Sequence, residues 1–373
     1  MKIMQVDLAN RRQVRDFLGL PFRIYKNIPQ WVPPLQIDER NRLNVRSYPF
    51  FKHSVAAFYL AYKSDRAIGR IAVMDHRLYN QHNNKKTAFF YMFECEDRTD
   101  ASQGLFEAAF EWARDRGLNE ILGPKGFTAL DGSGLLVKGF ELRPAFGLPY
   151  NPAYYIPLIE SQDFKCYMES VSGYLGVDIK FPERIHELAE PIAQRRGLRV
   201  SGYKNRKAIR SLIPHLKELY NETLGGMEDG TPITDEETRS MADQMLWFAD
   251  PNLIKAVVKD DKIVGFLLAY PDISAALQKT GGRLFPFGWL VMLLELKRTD
   301  WLNINGAGLI PEYRGSGGTA ILFSEIFKSV VDNGQFRHAE VVQIGKENEK
   351  MQREMQNFGI DFYKTHRVYK REL

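Results

Sequence analysis

Residues 301–319 read Trp301-Leu-Asn-Ile-Asn-Gly-Ala-Gly-Leu309-Ile-Pro-Glu-Tyr-Arg-Gly-Ser-Gly-Gly-Thr319. This order predicts a strand, a glycine-rich turn and the first turn of a helix. Such a turn binds anions, because glycines let backbone N–H groups approach a ligand and the helix dipole adds positive charge. Arg314 adds a full positive charge, so a pyrophosphate is the expected ligand; a flexible turn without a ligand is the alternative. The spacing matches neither a Walker A loop nor the dinucleotide fingerprint Gly-x-Gly-x-x-Gly.

The chain also contains an internal repeat, which is clearest at two β-hairpins. Asp65-Arg-Ala-Ile-Gly69 and Asp261-Lys-Ile-Val-Gly265 each predict a charged turn that leads into an apolar strand, and an apolar run precedes each turn. Further on, each half shows a helical pattern that stops at Gly117 or Gly334 and is followed by a short strand. Four matching elements in the same order indicate a duplication.

Each half therefore predicts the order hairpin, strand, helix, strand, helix and strand. This order is typical of an α/β fold of the mixed-sheet (α+β) kind, in which helices flank a central mixed β-sheet. A chain of 373 residues has room for two or three domains. We expect two, at residues 1–180 and 181–373.

The loop resembles the cofactor motif of the GNAT superfamily of acyl-CoA-dependent N-acyltransferases, Arg/Gln-x-x-Gly-x-Gly/Ala. Arg314 and Gly317 match this motif, whereas Thr319 stands where glycine or alanine is usual. A β-branched residue tolerates a positive φ badly, so Thr319 is expected at a negative φ in the first helical turn. Residues 348–359 also resemble the family's Asn-x-x-Ala-x-x-x-Tyr-x-x-x-Gly helix, with Met355 in place of the tyrosine that often protonates the leaving thiolate.

The resemblance covers most of residues 198–373 and implies tandem GNAT-like domains. It also implies acetyl-CoA or another acyl-CoA as co-substrate, and direct acyl transfer to an amine in a ternary complex. The acyl-CoA contacts that it implies are Ala307, Gly308, Leu309, Arg314, Gly315, Ser316, Gly317, Gly318, Thr319 and Asn348. In the first half, Asp97 and Asp100 replace the glycine pattern and would repel a pyrophosphate. We therefore expect residues 1–180 to form a degenerate, non-catalytic copy.

Few residues of the second half suit proton transfer. An amine must be neutral to attack a thioester, so a base or a chain of waters is needed. Asp272, just after a predicted strand, is the candidate base. Tyr363 is the candidate acid, because Met355 has no proton to give.

Residues 273–300 form an insertion where the family fold needs only a tight connection. The segment contains an apolar run, Leu284–Leu296, which Arg283, Lys297 and Arg298 flank. Three interpretations stay open: a helical pair that packs the two halves together, an apolar lid or tunnel for a long acyl chain, and an element that lies on a membrane surface.

The composition excludes several classes of protein. The chain is 44% hydrophobic and 26% charged, which is ordinary for a globular protein and excludes disorder and collagen. A net charge of +5 is too mild to indicate a nucleic-acid partner. With only Cys95 and Cys166, we expect no disulfide framework, no metal site and a reducing, cytoplasmic location. The apolar run is too short to predict a transmembrane segment, and the oligomeric state is left open.

We therefore expect a cytoplasmic acyl-CoA-dependent N-acyltransferase that moves an acetyl or longer acyl group to a small-molecule amine. A CoA-binding or structural protein without turnover is the first alternative, favoured by Met355 and by the lack of a carboxylate on the strand from Trp301. The second is an aminoacyl or peptidyl transferase of the tandem-GNAT type, which would have no need of a CoA loop.

Overall fold

The computed structural model describes residues 1–128, 131–176, 183–203, 205–210, 212–225 and 229–373. Its β-strands are β1 (Lys2–Gln5), β2 (Val55–Lys63), β3 (Arg66–Asp75), β4 (Thr87–Cys95), β5 (Glu120–Gly123), β6 (Leu135–Lys138), β7 (Lys165–Gly176), β8 (Arg199–Ser201), β9 (Ile254–Lys259), β10 (Lys262–Pro271), β11 (Trp301–Leu309), β12 (His338–Gly345) and β13 (Asp361–Glu372). Its α-helices are α1 (Arg11–Ile24), α2 (Gln36–Arg42), α3 (Arg77–Asn83), α4 (Thr99–Arg114), α5 (Tyr155–Glu160), α6 (Glu183–Arg196), α7 (Arg206–Arg210), α8 (Ile213–Tyr220), α9 (Asp235–Leu246), α10 (Ser274–Thr280), α11 (Gly288–Arg298), α12 (Gly318–Asn333) and α13 (Glu349–Asn357).

The chain divides into two units. Unit 1 comprises Met1–Ser170, Ser274–Val291 and Lys364–Leu373, and unit 2 comprises Val171–Ile273 and Met292–Tyr363. The expected boundary between residues 180 and 181 falls in the segment 177–182, which lies outside the described residues. Neither unit is one continuous segment of the chain, because the chain returns to unit 1 at Ser274 and again at Lys364.

The two units share one strand order. In unit 2 the strands follow the order β8-β9-β10-β11-β12, and each neighbouring pair is antiparallel except β11 and β12, which are parallel. In unit 1 the order is β1-β2-β3-β4-β5, and β4 and β5 form the parallel pair. The mixed α/β fold predicted from the sequence is confirmed, and the matching orders agree with the internal repeat.

Helix α12 fixes the position of the glycine-rich loop in unit 2. Its apolar side, which includes Ile321, Leu322 and Ile326, is buried in the same core as Leu302 and Ile304 of β11. Successive side chains of a strand point to opposite faces, so Asn303, which lies between these two apolar positions, faces away from the helix. The helix ends at Gly334, whose φ of 68° is a left-handed conformation that glycine adopts without strain.

The first part of the insertion packs within unit 1. Gln278 of α10 donates hydrogen bonds to the carbonyl oxygens of Pro29 and Trp31, at 2.7 and 3.0 Å. The backbone N–H of Gln36 donates to the carbonyl oxygen of Gly282 at 2.9 Å. Among the described helices, none is both long enough and apolar enough to cross a membrane.

Candidate active site

Strands β11 and β12 pair over only part of their length. The parallel pairing runs from Trp301 and His338 to Ile304 and Val341. Each strand then continues, β11 through residues 305–309 and β12 through 342–345, without pairing to the other in the described register. Backbone N–H and C=O groups that lack a strand partner are available to a ligand. The opening between these strand ends is therefore the natural place for an extended substrate.

The loop after β11 ends at the N-terminus of α12. Gly315 and Gly317 have φ values of 75° and 89°, which would strain any other residue. Gly317 is the N-cap of α12 and has no side chain to bond the N–H groups of the first turn. Those N–H groups lie at the positive end of the helix, an arrangement that commonly binds phosphate. Thr319 lies in this first turn and has no positive φ, as the sequence predicts.

Arg314 shapes this loop as well as giving it charge. Its Nη2 donates a hydrogen bond to the carbonyl oxygen of Thr223 at 2.9 Å, and its Nε donates to that of Leu309 at 3.3 Å. The hydroxyl of Ser316 donates to the carbonyl oxygen of Tyr313 at 2.6 Å and closes the turn. A guanidinium has five N–H donors, so these two bonds leave further donors for a phosphate.

Two lysines that the sequence analysis did not predict lie beside the loop. The Nζ of Lys350 lies 3.0 Å from the position that a Cβ atom on Gly315 would occupy. The Nζ of Lys259 lies 5.5 Å from the ring centre of Tyr313. Together with Arg314, these side chains surround the loop with positive charge, which favours a doubly charged ligand such as a pyrophosphate.

Asn348 and Met355 have structural roles in α13. The side-chain oxygen of Asn348 accepts a hydrogen bond from the backbone N–H of Met351 at 3.2 Å and caps the helix. This cap fixes the start of α13 and thereby the position of Lys350. Met355 is fully buried in the core of unit 2. The position at which the family often has a tyrosine is therefore an apolar core position in this chain.

A row of polar side chains crosses the sheet of unit 2. Tyr270 of β10 is paired with Asn303 of β11, which is paired in turn with Glu340 of β12. Paired positions on neighbouring strands share a face of the sheet, so these side chains lie side by side. Asn303 and Glu340 are each 1% exposed. Buried polar groups are costly unless they are bonded, so this row is held in place by specific contacts.

Asp272 joins the row at one end. Its Oδ1 accepts a hydrogen bond from Nδ2 of Asn303 at 3.1 Å, and both side chains are buried. Within the part of the chain that the structure describes, no donor reaches Oδ1 of Asn303. A buried carbonyl oxygen without a donor costs about 1–3 kcal/mol, so this atom is suited to accept an N–H from a ligand.

Tyr363 joins the row at the other end. Its hydroxyl donates a hydrogen bond to the carboxylate of Glu340. Burial raises the pKa of Tyr363 well above its ordinary value, and the negative charge of Glu340 raises it further. A phenol with a raised pKa gives up its proton less readily. Tyr363 is thus better suited to hold Glu340 than to protonate a thiolate.

The matching strand end in unit 1 carries charged groups instead of glycine. The residue that follows the repeated hairpin glycine is Arg70 in unit 1 and Phe266 in unit 2. Arg70 is paired with Glu94, whereas Phe266 is paired with Gly308. A Cβ on Gly308 would lie 3.1 Å from a side-chain atom of Thr223, so unit 2 has little space for a side chain there.

Glu94 is firmly held within unit 1. Its carboxylate accepts hydrogen bonds from the hydroxyls of Tyr25 and Tyr155, both at 2.7 Å, and burial raises its pKa. The helix that follows, α4, has Asp100 in its first turn, in an ion pair with Arg98. An acidic side chain at a helix N-terminus already satisfies the positive dipole there. The described residues of unit 1 therefore place a buried, bonded carboxylate and an acidic helix start where unit 2 has Gly308 and the loop with Arg314.

The structure brings most of the predicted residues into two groups within unit 2. Ala307, Gly308 and Leu309 lead directly into the loop that contains Arg314–Thr319, while Asp272 and Tyr363 both lie at the polar row. The sequence analysis missed Glu340, although a carboxylate in an otherwise apolar strand is itself a signal. Among the described residues, no group of three or more His, Cys, Asp or Glu side chains is arranged to hold a metal ion.

Comparisons with known sequences find relatives over the full length of the chain. No protein-family model matches it. Protein YghO of Escherichia coli K12 is 25% identical over 370 residues, which cover 98% of this chain and 94% of that protein. The bacterial ceramide synthase of Caulobacter vibrioides is 27% identical over 377 residues, which cover 97% of this chain and 95% of that protein.

Solved structures agree with the whole chain in fold. The tandem GNAT protein from the clavulanic acid biosynthesis pathway aligns with a TM-score of 0.58 at 12% identity and covers 100% of this chain and 98% of that one. The GCN5-related N-acetyltransferase of Sphaerobacter thermophilus aligns with a TM-score of 0.53 at 14% identity, and the match covers 100% of this chain and 95% of that one. At sequence identities this low, a structural match shows a shared fold and nothing further. The chain has the tandem GNAT-like fold, with a mixed β-sheet flanked by helices in each unit.

Proposed function

We propose that this protein is an acyl-CoA-dependent N-acyltransferase whose unit 2 binds the acyl-CoA. The observation that carries the proposal is the loop Arg314–Gly317, in which two glycines with positive φ lead into an uncapped helix N-terminus beside Lys350. Unit 1, whose strand end holds Glu94, is the non-catalytic copy. The acyl group is acetyl or longer, and the acceptor is a small-molecule amine.

The pantetheine arm follows β11 in this proposal. With the pyrophosphate at the loop, the arm runs toward the polar row between the ends of β11 and β12, which do not pair with each other in the described register. Asn303 lies six residues before Leu309 on β11, about 20 Å along an extended strand. Gly306, where a Cβ would meet only Phe266 at 3.7 Å, keeps a side chain out of this path. Backbone N–H groups in this segment are placed to donate to the oxyanion of the tetrahedral intermediate.

Glu340 is our choice for the base. The amine N–H is accepted by Oδ1 of Asn303, which no donor among the described residues reaches. The nitrogen then attacks the thioester carbonyl carbon as its proton passes to Glu340. The C–S bond breaks, and the thiolate takes a proton from solvent. Asp272 was expected as the base; because it accepts the N–H of Asn303, its role here is to orient that amide. Glu340 lies one residue before the last paired position of β11 and β12, which puts it nearer than Asp272 to the expected path of the thioester.

The name of one relative bears on the chemical class of the acceptor. Ceramide is an N-acylated long-chain amino alcohol, so the name of the Caulobacter relative describes the N-acylation of a lipid-like amine. A long-chain acyl-CoA and a long-chain amino alcohol therefore belong in any substrate panel, next to acetyl-CoA and small amines.

Titration calorimetry with acetyl-CoA and a long-chain acyl-CoA tests the loop. Arg314→Ala is expected to weaken binding by about 1–3 kcal/mol, or roughly 5- to 150-fold, because charged hydrogen bonds to phosphate are lost. Arg199→Ala is the matched control, because Arg199 pairs with Asp261 at an exposed site of the same unit. If neither acyl-CoA binds below millimolar concentration, the loop assignment is wrong.

Thiol release with a panel of amines then tests turnover. Release that depends on an amine supports the transferase, whereas binding without release with any amine supports the CoA-binding alternative. Binding of aminoacyl-tRNA in place of acyl-CoA would instead favour the aminoacyl or peptidyl transferase.

A further inference from the structure

Helix α11 turns its apolar side outward. Leu290, Leu293 and Leu294 are 42%, 40% and 50% exposed. Their spacing of three and four residues places them on one side of the helix, and Lys297 continues the same stripe. Met292, on the opposite side, is buried. A helix at the surface of a globular protein normally buries such a stripe, so this orientation is the reverse of the usual one.

The segment before the helix extends this apolar surface. Phe285 and Phe287 are 75% and 70% exposed, the highest values among the large exposed hydrophobic side chains of the described chain. Trp289 follows, and its indole N–H donates to the carbonyl oxygen of Pro286 at 3.1 Å. Five large apolar side chains are thus exposed within ten consecutive residues. Exposed apolar side chains concentrated in one short segment indicate a binding surface.

Basic residues stand at both ends of the patch. Arg283 precedes it, and Lys297 and Arg298 end the helix; all three are exposed. The carboxylate on the helix, Glu295, lies on the side away from the leucine stripe and is only partly exposed. The surface therefore combines an apolar centre with positively charged ends.

We propose that this surface, Phe285–Arg298, docks onto the interface of a membrane that contains anionic lipids. The phenylalanines and leucines enter the boundary between headgroups and acyl chains, and the basic ends contact anionic headgroups. The 11-residue helix is too short to span a bilayer but suits an element lying in its plane. The inference does not depend on the proposed acyltransferase activity.

A second copy of the chain is a poorer occupant of the surface. In an antiparallel two-fold pairing of these helices, Lys297 and Arg298 of one copy would face Arg283 of the other. Such an arrangement brings like charges together at both ends of the contact. Anionic headgroups would instead neutralise both ends.

Cosedimentation with lipid vesicles tests the proposal on the full chain. We expect the protein to bind vesicles of mixed phosphatidylcholine and phosphatidylglycerol, to bind pure phosphatidylcholine more weakly, and to lose binding as salt is raised. The double change Phe285→Ser and Phe287→Ser should weaken binding about tenfold or more, because two large apolar side chains no longer enter the interface.

Charge and control variants complete the test. Lys297→Gln with Arg298→Gln should weaken binding to the anionic vesicles by roughly 25-fold, because each basic residue near such a surface contributes about fivefold. Trp247→Ser, which replaces a 53% exposed tryptophan outside the proposed surface, should leave vesicle binding unchanged. All these positions are exposed, so the variants should keep the wild-type melting temperature.

Three results would overturn the proposal. The wild-type chain could stay in the supernatant with both kinds of vesicle, or the tryptophan control could lose as much binding as the phenylalanine variant. Sedimentation velocity could also show a dimer that the phenylalanine variant dissociates, with no vesicle binding; a second copy would then be the occupant.

Discussion

Replacing Glu340 by glutamine separates the chemical role of the polar row from its structural role. Glutamine has the same size as glutamate, and its side-chain oxygen can still accept the hydroxyl of Tyr363. The change therefore removes one negative charge and the ability to take a proton, while the packing of β12 stays the same.

The structure sets the expected magnitudes. If Glu340 accepts the amine proton, its loss should lower kcat by about 10²- to 10⁴-fold. Because Glu340 is 1% exposed, the change also removes a buried charge, so the free energy of unfolding should stay within about 1 kcal/mol or rise. Acyl-CoA affinity should stay within about twofold, since the loop residues are untouched.

Three variants make the assay specific. Glu349→Gln, at an exposed ion pair with Arg353, controls for the loss of a surface carboxylate. Tyr363→Phe keeps the base but removes its donor, so it should lower the free energy of unfolding by about 1–3 kcal/mol and lower kcat less than Glu340→Gln does. Asp272→Asn tests the base that the sequence predicts. Thiol release, calorimetric binding and urea unfolding are measured for each.

The decisive comparison is between the two carboxylates. If Glu340→Gln keeps kcat within twofold of the wild type, Glu340 is not the base and our reasoning is refuted. If Asp272→Asn shows the loss instead, the base is the one expected from the sequence.

Two further predictions concern stability and the path of the acyl-CoA. Burial lowers the pKa of His366 to about 4, so the folded state resists protonation of this side chain more than the unfolded state does. The free energy of unfolding should therefore fall by about 3 kcal/mol as the pH drops from 6.5 to 4. Urea titrations across that range should show a weaker pH dependence for His366→Gln than for the wild type. Gly308→Ala should weaken acyl-CoA binding about tenfold or more, because its Cβ would lie 3.1 Å from Thr223 and 3.2 Å from Phe266 and would displace β11 where it enters the loop. Gly202→Ala, where a Cβ meets nothing within 4 Å, should leave calorimetric binding unchanged.

The fold was largely predictable because its signals are local. The hairpin turns before Gly69 and Gly265 depend on residues that are neighbours in the chain, and so do the glycine at the end of α12 and the glycine-rich loop before it. The conformation of Thr319 was predictable for the same reason, since a β-branched residue next to glycines has few allowed backbone angles.

The candidate site was predictable only in part. The cofactor loop is continuous in sequence, so Arg314 and its glycines could be named directly. The polar row is not continuous, because Tyr270, Asn303 and Glu340 come from three strands and meet only through the strand register. A shift of one residue in any strand would turn its side chain to the other face, and no local pattern fixes that register.

The sequence by itself determined two similar halves and a cationic, glycine-rich loop in the second, since turn chemistry and apolar periodicity act over a few residues. Only the tertiary structure decided which side chains meet the loop and the strand ends. It placed Lys350 beside Gly315, filled the matching strand end of unit 1 with Glu94, and turned the leucines of α11 outward. The physical reason is that contacts between distant segments depend on packing and register, which the periodicity of one segment does not contain.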